Sequence, residues 1–304
     1  MSTNSELEKQ ADRNSAWDEE TPRSREFKRI ISVFFGRPLP VVGLVIIVLI
    51  ILTAIFAPLL APYDPLKMDV PNRLKGPTAQ NWLGTDEMGR DTLSRVIYGS
   101  RVSLLIGFAS VCFSAMIGIP MGLLAAYSGG IVHNIIMRFT DGLMSFPMIL
   151  IALLIATILG GGTLAVIIAL IVGQFAPSCR MTCAMAMSVK ENDYVLAART
   201  MGMRKVSIML NEILPNCFAP ILVTMTIGLG AAILAEASLS FLGVGVNPPT
   251  AVWGRMVNEG YKFLLISPIL SIAPGLAIML VVFGFNMMGD GLRDALDPRL
   301  RGVI

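Results

Sequence analysis

The sequence predicts an all-α, polytopic membrane protein with six transmembrane helices, and three observations lead to that class. Of 304 residues, 54% are hydrophobic and only 15% charged, too little polarity for a soluble globule of this length. Uncharged runs cover residues 41–60, 102–127, 142–179, 213–235 and 263–289, and about 20 apolar residues cross a hydrocarbon core of about 30 Å. The 142–179 run is about twice that length and carries Gly160, Gly161 and Gly162 near its middle. A glycine triplet favours a turn over continued helix, so this run counts as two spans.

From the N-terminus, residues 1–38 form a polar tail ending in a short helix, and residues 39–290 hold the spans. Residues 291–304 form a second tail. Phe27, Ile30, Ile31, Phe34 and Phe35 recur at helical spacing among Lys28 and Arg29. Two readings stay open there: an interfacial helix, or an extension of the first span. The first forty residues lack the short apolar core and small-residue cleavage site of a secretory signal, so no cleavage is expected. Arg23, Arg25, Lys28, Arg29 and Arg37 precede the first span, which places that end in the cytoplasm by the positive-inside rule. With six spans, the end carrying Arg293, Arg299 and Arg301 is cytoplasmic too, as is the loop at 190–215.

The segment at about 62–100 then lies outside, its basic residues offset by Asp64, Asp69, Asp86, Glu87 and Asp91. Gly84 to Asp86 has turn chemistry. Leu93, Val96, Ile97 and Leu104 follow on one apolar face, expected to rest at the membrane surface. Within the second span, Gly118 and Gly122 admit a close helix neighbour, and Pro120 between them favours a bend. A short cytoplasmic turn follows with the single histidine, His133, read as a surface residue. Asp141 is expected to pair with Arg138 at i, i+3. Glu236, at the outer end of the fifth span, is either a solvated helix end or a gate or substrate contact. Cys112, Cys179, Cys183 and Cys217 fall in or beside apolar runs, which points to packing rather than a disulfide framework or metal site.

The 190–215 loop is the most informative stretch, because it puts polar chain between two spans and still carries apolar knobs. Asn192 or Asp193 can start a helix over 194–201, with Val195, Leu196 and Met201 as knobs and Ala197 and Ala198 as a patch for close approach. Gly202 sits where a helix ends in a left-handed residue. A second helix over 204–214 then reaches Pro215. An ordinary solvated loop is the rival reading.

At these residues the chain resembles a known group. Leu196 to Gly202 (LAARTMG), followed by Ile213 to Asn216 (ILPN), is similar to the cytoplasmic signature of the membrane subunits of bacterial ATP-binding-cassette importers. Leu196 stands where that signature has Glu, and Asn211 and Glu212 stand where relatives often carry basic residues. The stretches LGTDEMGRDTLSRVIYGSR, AEASLSFLGVGVNPPTAVWGRM and GDGLRDALDPRLRG resemble the dipeptide and oligopeptide permease group, of its second-subunit, C-type, branch. Ala251 and Val252 replace the usual Pro-Glu.

The resemblance implies the type I importer permease fold in a bacterial inner membrane. It also implies two cytoplasmic ATPases, a second homologous permease subunit and an external substrate-binding protein. It assigns ATPase coupling to Asp193, Tyr194, Val195, Leu196, Ala197, Ala198, Arg199, Met201, Gly202 and Met203, with Pro215 closing the signature. Peptides are the first substrate choice, with glutathione, nickel chelates or sugars as alternatives. The residues themselves agree with this division of labour. No phosphate-cradling G-x-x-x-x-G-K-[ST] occurs, so no cofactor or ATP hydrolysis is expected here. The spans lack the midplane charges of an ion-coupled transporter, and a net charge of +3 implies no nucleic acid partner.

Overall fold

A computed structural model describes residues 22–296, with side chains from residue 28 onward; the end of the Gly289 to Gly302 stretch, with Arg299 and Arg301, lies outside the described residues. Helix α1 (Pro22–Phe35) ends at Gly36, and α2 (Pro38–Ile55) begins at once after an extended Arg37 (φ −112°, ψ 131°). Proline at the start of α2 is pre-set for a first helical turn and removes an N–H that has no helical partner there. The chain therefore has a separate leading helix rather than an extension of α2. An ion pair between Arg37 and Asp294 ties this junction to the end of the last helix.

Pro40, Gly43, Ile47 and Ala54 form the buried stripe of α2, whereas Val42, Val45, Leu49 and Leu52 stay exposed. Such an outward apolar face suits lipid as solvent. A one-turn helix, α3 (Ala57–Leu60), leads into an irregular segment with a 3-10 turn at Val70–Asn72. Its turns use Gly84 (φ 73°) and Gly89 (φ 75°), and Thr85 and Asp91 form an antiparallel bridge.

Helix α4 (Thr92–Ser128) has 37 residues, about 55 Å at 1.5 Å per residue, longer than a hydrocarbon core. The Asp91 carboxylate caps it, accepting from Ser94 N at 2.8 Å and Ser94 Oγ at 2.7 Å. Its first turns do not rest on a membrane surface as the sequence suggested. Ile97 and Leu104 are buried, but so are Ser94, Arg95, Gly99 and Ser100, because the 62–91 segment and a later helix cover polar faces of this end too, leaving Leu93, Val96 and Tyr98 half-buried.

Helix α5 (Gly130–Met144) occupies the stretch expected to be a short turn. His133 lies within it, half-buried, its Nδ1 3.8 Å from Cys183 Sγ. Asp141 pairs with Arg180 of α7 rather than with Arg138, a partner 39 positions away winning over the local one. After a break at Ser145 to Pro147, α6 (Met148–Ile158) leaves at 87° to α5. Eleven residues cover about 17 Å, so α6 does not cross a bilayer alone. Gly160, Gly161 and Gly162 all have positive φ (82°, 74° and 90°) and turn the chain into α7 (Thr163–Lys190) as the triplet predicted.

Beyond α7 come α8 (Asp193–Thr200), α9 (Lys205–Ser207) and a π-helical stretch Ile208–Ile213 that runs directly into α10 (Leu214–Phe241). Pro215 thus sits inside a continuous helical path rather than at a restart. A proline has no N–H for residue 211 and its ring crowds that carbonyl, a conflict that the wider π turn just before it relieves. Helix α11 (Trp253–Tyr261) and α12 (Ile269–Leu296) complete the fold. Among the described residues, five helices are long and apolar enough to span a membrane: α2, α4, α7, the α9–α10 path and α12; the bent pair α5–α6 makes six if it counts as one span.

Helices α4 and α7 pack most closely where the glycine pair predicted a neighbour. A Cβ on Gly122 would stand 2.5 Å from Cys179 O and 2.8 Å from Thr182 Cβ; one on Gly118 would stand 2.8 Å from Ser178 Oγ. Backbone cannot yield as a side-chain tip does. Gly122→Ala is therefore expected to cost about 1–3 kcal/mol through forced separation of the helices. Thermal unfolding in detergent checks this, with Gly142→Ala, where a Cβ meets nothing within 4 Å, as the neutral comparison.

Candidate coupling helix and central cavity

Helix α8 lies at the end of the bundle where α4 and α7 finish, and Lys190 Nζ donates to Ala126 O at 3.1 Å across that end. Asn192 is the residue before the helix. Its carbonyl accepts from Val195 N and Leu196 N at 3.0 and 3.2 Å, and its side chain makes no capping bond. Asp193 in the first turn and Arg199 in the last complement the helix dipole. The Arg199 guanidinium also sits 5.2 Å over the Tyr127 ring.

Gly202 (φ 76°) ends the helix: Gly202 N donates to Arg199 O at 3.0 Å and Met203 N to Ala198 O at 3.2 Å. This paired reversal satisfies carbonyls that the helix leaves unbonded. A Cβ on Gly202 would meet nothing within 4 Å, so the backbone angle alone penalises substitution. Gly202→Ala is expected to cost about 1 kcal/mol and Gly202→Asn less, since Asn tolerates the left-handed region. Amide exchange across residues 193–203 measures the difference.

The sequence grouped Ala197 with Ala198, and the structure separates them. Val195 and Ala198, three residues apart, turn inward and pack with Ala186, Ile208, Ile213 and Cys217. Met203 is half-buried against the same cluster. Asp193, Tyr194, Leu196, Ala197, Arg199, Met201 and Gly202 are exposed, Met201 by 74%. Pro215 is exposed too, but belongs to the start of α10. The following stretch exposes Val206 and Leu210, which sequence reasoning passed over. Their i, i+4 spacing was the available signal.

Between α4, α6, α7 and α10 lies an open cleft of about 200 Å³. Val111, Ser114, Met148, Gln174, Met181, Thr224, Met225 and Gly228 contribute to its wall, and no lining residue carries a charge. Glu236 is not on that wall. It is fully buried one segment further along α10, accepting from Ser240 Oγ at 2.7 Å and Ser103 Oγ at 3.2 Å. The solvated helix end is therefore wrong: Gly107 lets α4 come so near α10 that its Cβ would stand 2.6 Å from Ile233 Cγ1, and water is excluded.

At the opposite end of α4 from α8, Asp86, Arg90 and Arg95 are buried, with Arg255 and Glu259 half-buried beside them. Arg90 Nε lies 2.7 Å from Asp86 Oδ2, and Arg95 Nη2 and Arg255 Nε lie 3.2 and 3.0 Å from the two oxygens of Glu259. Arg95 Nε adds a 3.4 Å approach to Asp86. Trp253 Nε1 donates to Val96 O at 2.9 Å beside them. Sequence reading gave Asp86, Arg90 and Arg95 a part in charge balance only and Trp253, Arg255 and Glu259 no individual role, because the partners lie up to 164 positions apart.

Residues 118–302 match the family described as binding-protein-dependent transport system inner membrane component. The chain belongs to that family. Residues 26–77 of this permease also match the N-terminal TM domain of oligopeptide transport permease C. The dipeptide transport system permease protein DppC of Alkalihalophilus pseudofirmus is 43% identical over 263 residues, covering 86% of each chain. The oligopeptide transport system permease protein OppC of Bacillus subtilis is 40% identical over 268 residues, covering 88% of each. A chain of the MetNI methionine ABC transporter, solved in inward-facing conformations, aligns with a TM-score of 0.56 at 21% identity. It covers 67% of this permease and 98% of that chain, a likeness of fold. The all-helical importer-permease fold implied by the sequence resemblance is thus the fold observed.

Within this permease Cys179, Cys183 and Cys217 are buried, as packing residues would be, whereas Cys112 is exposed.

Proposed function

We propose that this chain is one membrane subunit of an ATP-driven importer of short peptides, pairing with a second permease subunit around a shared path. In this reading two cytoplasmic ATPases dock on α8, and an external binding protein delivers substrate at the end built from residues 62–91 and α11. The chain sits in a bacterial inner membrane with both termini cytoplasmic, and ATP hydrolysis belongs to its partners. Closure of the ATPases pulls α8 and rocks the spans between inward- and outward-facing states. The observation that carries this is α8 itself. It is a short helix between two spanning helices, anchored to its own chain by Val195 and Ala198, and it presents Tyr194, Leu196, Ala197 and Met201 to solvent. Exposed apolar side chains grouped on one short helix suit a protein partner. The substrate follows the dipeptide and oligopeptide permeases to which the chain is 43% and 40% identical.

Purification in mild detergent, identification of co-purifying chains and reconstitution of the complex test it. Expected are two ATPases, a sister permease and peptide uptake that needs ATP. Uptake that collapses with a proton ionophore at constant ATP would overturn the reading, as would a complex that moves no peptide.

A further inference from the structure

We propose that the cleft between α4, α6, α7 and α10 is a side-chain subsite, which takes one uncharged aliphatic, thioether or aromatic side chain of a transported peptide and turns away charged ones. The proposal rests on the peptide-permease reading and adds a selectivity filter inside the membrane subunit.

Size is the first argument. The cleft holds about 200 Å³, and a dry apolar cavity of about 150 Å³ accommodates benzene, so one phenyl or branched aliphatic group fits. Chemistry is the second. Met148, Met181 and Met225 approach from three different helices, and thioethers adapt to irregular apolar shapes and favour aromatic edges. No lining group offers a countercharge, so a lysine or glutamate side chain entering here would lose hydration without compensation.

The third argument is an unpaired hydroxyl. Ser114 is 2% exposed and lines the cleft, yet its Oγ has no hydrogen-bond partner. A buried hydroxyl left unbonded is costly and uncommon. Nearby, Gln174 spends only its Nε2, on a long 3.5 Å bond to Ser110 Oγ. A peptide amide beside the bound side chain would supply what Ser114 lacks and give the Gln174 carbonyl a donor. An acyl chain of a lipid would fill the volume but satisfy neither group.

Gly228 gives the test its handle, since a Cβ there would stand 3.8 Å from Gln174 Oε1 and 4.0 Å from Val111 Cγ2, ordinary contact with room beyond. In proteoliposomes holding the complete transporter with saturating binding protein, uptake of alanyl-alanine, alanyl-phenylalanine and alanyl-glutamate is compared. Gly228→Leu is expected to lower alanyl-phenylalanine uptake about tenfold relative to alanyl-alanine. An unchanged ratio, including a parallel loss of both, overturns the subsite and favours a lipid chain in the cleft. Should Gly228→Leu fail to assemble, Gly228→Cys in a Cys112→Ser chain decides, because Cys112 is the exposed native thiol. During turnover alanyl-phenylalanine should slow thiol modification at residue 228 and alanyl-glutamate should not; equal rates overturn the proposal. The permease reading fails separately, if the unaltered transporter shows no ATP-dependent alanyl-alanine uptake.

Discussion

Leu196→Asp is expected to leave the permease folded and inserted while abolishing ATP-driven uptake. Leu196 is exposed on α8, so the isolated chain has little to lose from the change. In a docked complex the same position is covered, and an unpaired carboxylate there must shed its water. A penalty of about 3 kcal/mol corresponds to roughly hundredfold weaker docking. Ala198→Arg makes the informative contrast. Ala198 is buried against Ile208, Ile213 and Cys217, so an arginine there injures the permease's own packing before any partner arrives. The two variants should therefore separate: Leu196→Asp keeps its thermal midpoint and loses ATPase co-purification, whereas Ala198→Arg loses both. A Leu196→Asp complex that retains its ATPases and its transport removes α8 as the coupling surface.

That contrast was only half legible in the sequence. Composition cannot distinguish Ala197 from Ala198, although Val195 and Ala198 at i, i+3 carried the period of an inward stripe. Long apolar runs were legible because lipid allows little else. Residues 41–60 and 263–289 correspond to α2 and α12, and Gly160 to Gly162 turn the chain as expected. The second break in the 142–179 run was readable in principle, since Pro147 disfavours helix at the residue before it. Glu236 and Arg95 were not readable as buried residues. A charged side chain enters a protein interior only with partners, and theirs are Ser103 and Glu259, brought close by tertiary packing across 133 and 164 positions.

Glu259→Gln is expected to be the most destabilising single change in the buried charge cluster, although it alters hardly any volume. Glu259 accepts from Arg95 Nη2 and Arg255 Nε and lies 3.6 Å from Arg90 Nη2. Without its charge, Arg90 and Arg95 share Asp86 alone and Arg255 loses its carboxylate partner, with Glu87 at the rim of the same small cavity. Arg90 Nη2 and Arg95 Nη1 already lack hydrogen-bond partners, so the site has no spare acceptor to take up the loss. Breaking a buried pair by removing one partner costs about 3–5 kcal/mol, because the surviving charge is stranded; that is a fall of order 10 °C in thermal midpoint. Arg255, more exposed than Arg95, can turn to water, so Arg255→Met should cost far less. The decisive variant is the double change. Arg95→Met in the Glu259→Gln background removes the stranded charge and should recover part of the lost midpoint, a coupling that additive effects would not give. If the double variant is no more stable than Glu259→Gln, shape rather than charge holds α11 against the start of α4.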